Sequence, residues 1–414
     1  MSEQESFDVI VIGAGPAGST TAALLAKAGH RVVVLERARF PRFHIGESLL
    51  PAELPVFDAL GFDPEGLPAV YKAGADFLDE STGDYARFDF CDALEGTGGH
   101  AWQVDRATFD ERLAARARAL GAEVRFGVRA TAVRTPEDRA GDRAEVELEG
   151  GEVLQARYVV DATGRDRLLC KQNRSFERID GFGVAAVWAH FDALSDAAVE
   201  RLTESGNITV LILDKGWGWV IPLPKGRLSV GFVSSERGVV SEAWFEEQYA
   251  KSAFLQELTA GARRSELSVI GDYSFKNTQP FGPRYGCVGD ASAFLDPVFS
   301  SGVAFAMDSA HALVELLEPA LREGREAAPD LLEPLAAKMN RAYEVFGALI
   351  HSFYHTNLVK NLFFYDDPDP QLRAGLISIL AGDVWRDDNP FQDMVMRSAR
   401  RRARRGANPS AAAS

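Results

Sequence analysis

The chain has 414 residues, of which 46% are hydrophobic and 25% are charged, as in a folded protein of two or three domains rather than a disordered chain. The net charge of −15 excludes nucleic acid as a favourable partner, because binding phosphates requires an excess of lysine and arginine. Three cysteines are too few for a disulfide framework and fit a reduced, cytoplasmic protein, and no apolar run reaches the ~20 residues of a membrane span.

The chain begins with the pattern of a dinucleotide-binding βαβ unit. An apolar strand over 7–12 precedes a GxGxxG motif formed by Gly13, Gly15 and Gly18, and an alanine-rich helix and a second strand ending at Glu36 follow. The first glycine permits the tight turn, the second lets a pyrophosphate approach the backbone, and the third allows close helix packing. Glu36 is placed to accept hydrogen bonds from a ribose. The motif alone does not distinguish NAD from FAD.

Two later segments have the pattern of further strands in the same sheet. Residues 157–164 form an apolar strand that ends in a small-residue turn, and residues 286–290 form another such strand end at Asp290. This carboxylate can bind a ribityl hydroxyl. A helix that starts near Ser300 would direct its free N–H groups at whatever lies before it, and if that is the edge of a flavin ring, the helix dipole stabilises the reduced, anionic ring. The wide spacing of these strands predicts a discontinuous nucleotide-binding domain.

The material between these strands has the pattern of a second sheet. β-Branched and apolar segments separated by Gly, Pro and Asp predict strands over 183–191, 208–213, 218–223 and 228–233. We expect them to form an antiparallel sheet that floors the active site. A second GxGxxG unit is absent from the sequence, so no dedicated nicotinamide site is predicted.

At this point the motifs resemble those of flavin-dependent halogenases, within the larger class folded like p-hydroxybenzoate hydroxylase. The segment 40–51 (FPRFHIGESLLP), WQVDR at 102–106 and DATGR at 161–165 are shared with many flavin monooxygenases, so they support FAD but not one reaction. The resemblance assigns FAD binding to Gly13, Gly15, Ala17, Gly18, Glu36, Arg37, Gly46, Glu47, Ser48, Arg106, Asp161, Gly164, Asp290, Pro297, Gly302 and Val303.

The resemblance also implies the domain organisation. The fold class is α/β, with a Rossmann-like FAD-binding domain, an inserted antiparallel sheet and a helical C-terminal segment. The expected parts are 1–72, 100–172 and 270–340 for the FAD domain, 73–99 and 173–269 for the substrate-domain sheet, 341–396 for the C-terminal helices, and 397–414 for a basic, disordered tail.

Three features narrow the resemblance to halogenases. The segment 217–222 matches WxWxIP, which is thought to keep substrate away from the flavin face, and the segment 294–302 matches FxxPxxSxG. By resemblance, the backbone N–H groups of Ser301 and Gly302 hold the halide, and Lys72 is the catalytic lysine. Each feature also has a structural explanation, as paired core tryptophans, a helix start or a surface lysine. The implied substrate channel is lined by Trp217, Trp219, Pro222 and Phe299.

The same resemblance implies a reaction and a substrate class. A separate flavin reductase supplies reduced FAD, oxygen and chloride or bromide give hypohalous acid, and this acid travels to Lys72, which forms a haloamine or directs the acid by a hydrogen bond. Tryptophan halogenases carry a glutamate where this chain has Phe299, and the chain leaves no room for their large helical cap. The expected substrate is therefore a phenol or a pyrrole, free or tethered to an acyl or peptidyl carrier protein.

Three other functions stay open at this stage. A reductase of isoprenoid double bonds shares the segment around Gly46, an aromatic hydroxylase would use NAD(P)H itself, and a flavin-binding sensor would leave Lys72 idle. The pair His351 and His355 lacks a third ligand nearby, so no metal site is predicted. The arginines of the tail fit either a solvated end or an electrostatic dock for an acidic carrier protein.

Overall fold

The computed structural model describes residues 5–136, 143–356, 362–365 and 368–407, with the backbone alone for 403–407. Two sheets and a set of C-terminal helices enclose one deep cavity. None of the helices in this described part of the chain combines the length and the apolar character of a membrane-spanning segment.

The first half of the chain alternates strands and helices and then continues mainly in strands. The strands are β1 (Ser6–Ile12), β2 (Val32–Glu36), β3 (Ala69–Lys72), β4 (Gly74–Asp79), β5 (Asp84–Asp89), β6 (Ala101–Val104), β7 (Glu123–Phe126), β8 (Ala130–Arg134), β9 (Ala144–Leu148), β10 (Val153–Asp161), β11 (Phe176–Arg178), β12 (Ala185–Asp192), β13 (Ile208–Leu213), β14 (Gly216–Leu223), β15 (Arg227–Ser234), β16 (Arg263–Arg264), β17 (Ser268–Gly271), β18 (Phe275–Asn277), β19 (Phe281–Gly282), β20 (Tyr285–Cys287) and β21 (Ala293–Phe294).

Helices cover the first sheet and make up most of the chain after residue 300. They are α1 (Pro16–Lys27), α2 (Leu54–Leu60), α3 (Arg106–Ala119), α4 (Leu168–Gln172), α5 (Asp196–Thr203), α6 (Glu242–Lys251), α7 (Ala253–Leu258), α8 (Ser301–Glu323), α9 (Glu333–His355), α10 (Pro370–Leu380) and α11 (Pro390–Ala407).

The first sheet has the strand order β19-β20-β10-β1-β2-β7, with β9 and β8 attached to β10. Strands β7, β2, β1, β10 and β20 run parallel to one another, and their register places Ile12 beside both Leu35 and Asp161, with Cys287 next to Asp161. One face packs on helices through Val9 and Val11, and the other face packs on β8 and β9. The carboxyl ends of four strands distant in sequence therefore meet at one edge, where open α/β sheets bind ligands.

The second sheet has the order β16-β12-β15-β14-β13-β4-β5, with β17 also paired to β12. Its neighbouring strands are antiparallel, as expected, except that β4 runs parallel to β13. The exception arises because β4 enters from an earlier part of the chain rather than through a hairpin. Along β14, Trp217 and Trp219 join the main core, whereas Val220 joins the core under α5, α6 and α7. The pleat thus turns both tryptophans to the same side.

The C-terminal helices pack against the main core, and α11 extends beyond the predicted end of ordered structure at residue 396. Phe391 and Val395 are buried, and Met396 and Ala399 pack against the same core, so an apolar face holds this helix in place through the start of the arginine-rich segment. The sequence analysis expects a disordered tail over 397–414, whereas the structure continues α11 through residue 407. The remaining tail residues, 408–414, lie outside the described residues.

Candidate functional site

A cavity of about 690 Å³ opens at the carboxyl edge of the first sheet and extends to the second sheet. Its volume is in the range of pockets that hold cofactors and drug-sized ligands. Walls come from the β1–α1 turn, the segment 42–48, the turn after β10, the start of α8 and the tryptophans of β14. The site therefore joins both sheets, and no single segment of the chain forms it.

The β1–α1 turn shows why glycines occupy the GxGxxG motif. Gly13 has φ of +103°, and a Cβ there would collide with the carbonyl of Ala162, which directly follows β10. A Cβ on Gly18 would collide with the carbonyl oxygen of Gly13, so Gly18 serves helix packing and does not line the cavity. A Cβ on Gly15 would meet only the Arg42 guanidinium, at 3.6 Å, so the backbone at Gly15 is open for close approach of a ligand.

The carboxylate of Glu36 is fixed at the end of β2. Its Oε2 atom accepts a hydrogen bond from the N–H of Ala14 at 2.9 Å, and its Oε1 atom accepts one from Ala38 at 2.8 Å. These bonds hold the buried carboxylate in the cavity wall, where each oxygen still has lone pairs for ribose hydroxyls. The neighbouring Arg37 also lines the cavity and pairs with Asp166 at 2.5 Å.

The segment 42–48 is anchored by one buried arginine. The Nη1 atom of Arg106 donates to the carbonyl oxygens of Ile45 and Gly46 at 2.9 and 3.0 Å, while its Nε atom donates to Asp110 at 2.9 Å. This anchoring holds Gly46, Glu47 and Ser48 in the cavity wall. Arg106 is thereby a support for the site as well as part of its lining.

Glu47 carries a polar atom that the protein itself does not satisfy. Its Oε1 atom lies 2.6 Å from Nε2 of His190, whereas its buried Oε2 atom has no hydrogen-bond partner among the described residues. A buried acceptor without a partner is costly unless a ligand supplies a donor. Because Glu47 lines the cavity, this oxygen marks a place where a bound cofactor could donate a hydrogen bond.

Two aspartates at the sheet edge have different roles. Asp161 is fully buried, and its carboxylate accepts hydrogen bonds from the N–H and hydroxyl of Thr163 and from the N–H of Leu169. It shapes the turn after β10 and does not line the cavity, although Gly164 in the same turn does. Asp290 does line the cavity, and burial raises the pKa of its carboxyl to about 6 against the opposing fields of Arg106 and Arg165.

Beside α8, the loop over 296–302 is shaped by a buried carboxylate. The Oδ1 atom of Asp296 accepts from the N–H of Val298 at 3.0 Å, and Ser300 has φ of +57° immediately before the helix. Ser300 and Gly302 line the cavity, whereas Ser301 is buried outside its wall. Since the first N–H groups of a helix lack intrahelical acceptors, the start of α8 can hold an anion at the cavity.

The two tryptophans of β14 form the wall opposite the nucleotide-binding turn. The indole N–H of Trp219 donates to the Ser229 hydroxyl at 3.1 Å, and that of Trp217 donates to the Tyr354 hydroxyl at 2.8 Å. The Tyr354 hydroxyl in turn donates to Oδ2 of Asp296 at 3.0 Å. A hydrogen-bonded chain therefore links this wall to the loop that precedes α8.

Lys72 is the last residue of β3 and is almost completely buried, with 1% of its side chain surface exposed. Its Nζ atom donates to Oγ of Ser48 at 2.9 Å and to the carbonyl oxygen of Leu49 at 2.8 Å, and lies 5.2 Å from the centre of the Phe90 ring. Burial lowers the pKa of this amine to about 7, against the opposing field of Glu53. The amine thus sits behind Ser48, which lines the cavity.

Comparison with known proteins then identifies the class of this site. A family model described as tryptophan halogenase matches residues 8–98 and 91–374, which is most of the chain. The chain belongs to the flavin-dependent halogenase family. The halogenase fold predicted from the sequence is confirmed, as are FAD as the cofactor and halide and oxygen as co-substrates.

Two curated relatives illustrate the range of this halogenase family. Tryptophan 2-halogenase of Chondromyces crocatus is 31% identical over 381 residues, which cover 88% of this chain and 71% of that protein. The 1H-pyrrole-2-carbonyl-(peptidyl-carrier protein) chlorinase of Pseudomonas fluorescens is 29% identical over 416 residues, or 93% of this chain and 91% of that protein. Family membership therefore defines the chemistry more closely than the substrate.

A solved structure supports the same assignment of the fold. The myxobacterial chondrochloren halogenase CndH, described as a new variant of FAD-dependent halogenases, superposes with a TM-score of 0.75 at 29% identity. The match covers 95% of this chain and 97% of that one. The two sheets and the C-terminal helices thus have a counterpart in a known halogenase over nearly their whole length.

The residues of this halogenase that form the cavity fit FAD. The open backbone at Gly15 suits a pyrophosphate, the fixed carboxylate of Glu36 suits a ribose, and the unsatisfied Glu47 oxygen and Asp290 suit polar groups further along the cofactor. The predicted residues that line the cavity are Gly13, Gly15, Ala17, Glu36, Arg37, Gly46, Glu47, Ser48, Arg106, Gly164, Trp217, Trp219, Asp290, Pro297, Gly302 and Val303.

Besides Gly18 and Lys72, four residues named from the sequence lie outside the cavity lining, and their roles in FAD, halide or substrate contact stay predictions. Pro222 lies an odd number of positions from Trp219 on β14, so the pleat directs it away from the tryptophan face. Phe299 is buried against Phe346 and Phe353 of α9. The other two are Asp161, used in its own turn, and Ser301, whose place in the wall is taken by Ser300. The sequence analysis assigned no role to Tyr354, because its hydrogen-bond partners Trp217 and Asp296 are distant in sequence.

Proposed function

We propose that this halogenase converts chloride or bromide to hypohalous acid and uses Lys72 to halogenate an electron-rich aromatic ring, a phenol or a pyrrole. The observation that carries the proposal is the position of the Lys72 amine. It is shielded from solvent, has a lowered pKa, and is bound to Ser48, a residue of the cavity wall. A neutral amine has a nucleophilic lone pair, which an exposed lysine ammonium lacks at neutral pH.

The residues of the chain divide the work between two places. Bound FAD, reduced by a separate flavin reductase, supplies the two electrons that allow oxygen to oxidise the halide. The N–H groups at the start of α8, near Gly302, bind the halide through positive potential. At the other place, Lys72 takes the halogen from hypohalous acid with release of water and then transfers it to the ring, whose displaced proton returns to the nitrogen. Trp217 and Trp219, which line the cavity, keep the aromatic substrate away from the flavin, so that the ring meets the halogen at Lys72.

The environment of Phe299 supports an electron-rich substrate. This side chain is buried in an aromatic cluster with Phe346 and Phe353 and offers no carboxylate to remove a proton from the ring. Phenols and pyrroles need less help from a base than an unactivated arene. The name of the pyrrole-carrier chlorinase among the relatives supports a substrate on a carrier protein as one of the two options, the other being a free phenol.

We also place the enzyme in the cytoplasm, where reduced flavin is produced. The cysteines Cys91, Cys170 and Cys287 are all unpaired, which suits a reducing compartment.

The direct test is the substitution Lys72→Met, which keeps an unbranched side chain and removes the amine. We expect the affinity for FAD to stay within twofold of the wild type. The rate at which the enzyme brominates a free phenol should fall by at least about 10³-fold. A scavenger of free hypohalous acid should detect more of it than in the wild type. Lys251→Met, which changes an exposed lysine paired with Glu247, is the matched control. Full halogenation by the Lys72 variant would refute the proposed role of the amine.

A further inference from the structure

His190 is a side chain of the second sheet that contacts the segment 42–48 of the cofactor cavity. It lies on β12, where its N–H donates to the Ser265 hydroxyl at 3.0 Å and its carbonyl oxygen accepts from the N–H of Ser265 at 2.8 Å. Trp188, two positions earlier on the same face of the strand, lines the cavity, whereas His190 does not. The imidazole is therefore fixed beside the cavity without forming its wall.

Two residues of the segment 42–48 meet this imidazole. The Nε2 atom of His190 lies 2.6 Å from Oε1 of Glu47, and the Phe43 ring packs edge-to-face on the imidazole with 5.5 Å between ring centres. A carboxylate only accepts hydrogen bonds, so Nε2 carries the hydrogen of this contact. The side chains of His190 and Glu47 are 12% and 3% exposed. Little water therefore competes for this charge-assisted hydrogen bond.

The contact with His190 satisfies one oxygen of Glu47 and leaves the other free. The backbone of Glu47 is held separately, because its carbonyl oxygen accepts from the N–H of Val104 on β6 at 2.8 Å. The second carboxylate oxygen, Oε2, is buried and has no donor in the described part of the chain, and Glu47 lines the cavity. An unpaired acceptor at a cavity wall points to a donor on the ligand that fills the cavity.

We propose that His190 is a positioning residue for FAD. By donating to Oε1, it orients Glu47 so that Oε2 accepts a hydrogen bond from an N–H or O–H group of the bound cofactor. Without the imidazole, the carboxylate loses the bond that fixes its rotamer, and Oε2 is no longer held at the cavity. The inference uses the cofactor of the halogenase family and does not depend on the proposed role of Lys72.

The structure allows this role to be separated from general support of the segment 42–48. Arg106 anchors the segment independently, through two backbone carbonyl oxygens, so the segment should stay in place when the His190 contact is lost. Glutamine places an amide N–H close to the position of the histidine Nε2 atom, whereas asparagine reaches only the position of Nδ1. Phenylalanine keeps a ring against Phe43 but has no donor. These three replacements distinguish a donor at Nε2 from a ring or from polarity alone.

The test measures the affinity of the full-length apoprotein for oxidised FAD by isothermal titration, without halide or substrate. We expect the dissociation constant of FAD to rise about tenfold or more in His190→Phe and His190→Asn, as for the loss of a hydrogen bond to a charged group, and to stay within about threefold of the wild type in His190→Gln. Glu47→Ala should weaken binding as well, and the addition of His190→Phe to it should cost less than about twofold more, because His190 acts through Glu47.

His311→Phe is the matched control, since His311 also lies near a glutamate, 3.9 Å from Glu315, but does not line the cavity. Affinities within twofold of the wild type in both His190→Phe and His190→Asn would overturn the inference and leave FAD as the cofactor. Equal losses in all three His190 variants would also overturn it, because a donor at Nε2 would then not be the cause.

A further tenfold loss when His190→Phe is added to Glu47→Ala would overturn the inference too, since the imidazole would then act independently of the Glu47 carboxylate. Urea denaturation of each apoprotein checks that the variants fold. If His190→Phe does not fold, His190→Asn and His190→Gln carry the same comparison, because one lacks the donor at Nε2 and the other keeps it.

Discussion

At the scale of single residues, the main feature is Lys72, a buried lysine whose amine forms no ion pair with an acidic group among the described residues. The native pKa of Lys72 is near 7, while its value in the unfolded chain is near the ordinary 10.5. Between these values the unfolded chain binds more protons than the native protein, so this lysine lowers stability as the pH falls from about 10.5 to 7, and the loss is complete below pH 7. Burial of this amine therefore lowers the stability of the fold and favours the neutral, reactive form of the amine.

The cost of burying this amine gives a prediction about the free energy of unfolding alone. Lys72→Met should raise the free energy of unfolding at pH 6 by at least about 1.4 kcal/mol, the equivalent of one pKa unit, because an apolar side chain replaces a buried ammonium. The gain should be smaller at pH 9.5, where the native amine is neutral and most of the proton difference is gone. Urea denaturation of both proteins at pH 6 and pH 9.5 measures this difference in the free energy of unfolding. A gain that is independent of pH would show that packing, and not the charge, is responsible.

Residues whose role depends on their sequence neighbours were predictable, and residues whose role depends on distant contacts were not. Gly13, Gly15 and Glu36 belong to one local βαβ unit, so spacing sufficed to place them. Asp161 stands in a similar pattern, but its carboxylate is consumed by the turn that follows it. Tyr354 lacked any sequence signal, since its partners Trp217 and Asp296 lie on distant parts of the chain.

At the scale of elements, the Tyr354 hydroxyl connects the C-terminal helix α9 to the cavity wall by hydrogen bonds, beside the ring contacts of Phe346 and Phe353 with Phe299. Tyr354 accepts from the indole of Trp217 on β14 and donates to Asp296 in the loop before α8. Three elements that are far apart in the chain thus share one buried hydrogen-bonded network. The sequence analysis predicts C-terminal helices over 341–396, but the hydrogen-bond partners of Tyr354 are decided by tertiary packing, which a helical pattern does not encode.

The substitution Tyr354→Phe tests this link. It leaves the Trp217 N–H without an acceptor and removes one donor from the buried Asp296, so we expect a loss of about 1–3 kcal/mol in the free energy of unfolding. The KM for halide should also rise severalfold, because the loop before α8 loses a support. Tyr158→Phe is a matched control, since the buried Tyr158 hydroxyl has no partner among the described residues. Equal effects of the two substitutions in denaturation and kinetics would contradict a role for the network.

At the scale of the whole molecule, charge is distributed unevenly. The chain carries a net charge of −15, yet the described part of α11 exposes Arg397, Arg400 and Arg401 along one helix. A partner with acidic groups is repelled by most of the surface and attracted to this helix. The order of α11 makes the attraction directional, since the helix is packed on the core rather than frayed.

The joint replacement of Arg397, Arg400 and Arg401 by alanine tests whether α11 receives a carrier protein. We expect kcat/KM for a carrier-bound pyrrole to fall about fivefold or more at low ionic strength, with a weaker salt dependence than in the wild type. Halogenation of a free phenol should be unchanged in the same variant, which serves as the internal control. A proportional loss on both substrates would show that these arginines stabilise the fold instead.

The interleaved order of the first sheet also constrains how the protein is made. Strands β1, β10 and β20 are adjacent in space, but they end at residues 12, 161 and 287. During translation, the third strand leaves the ribosome only when more than two thirds of the polypeptide has been synthesised, and contacts over such separations form slowly. The cavity, whose lining includes Ala306, cannot be complete on a shorter nascent chain. Flavin loading is therefore a late event, completed on a nearly finished polypeptide.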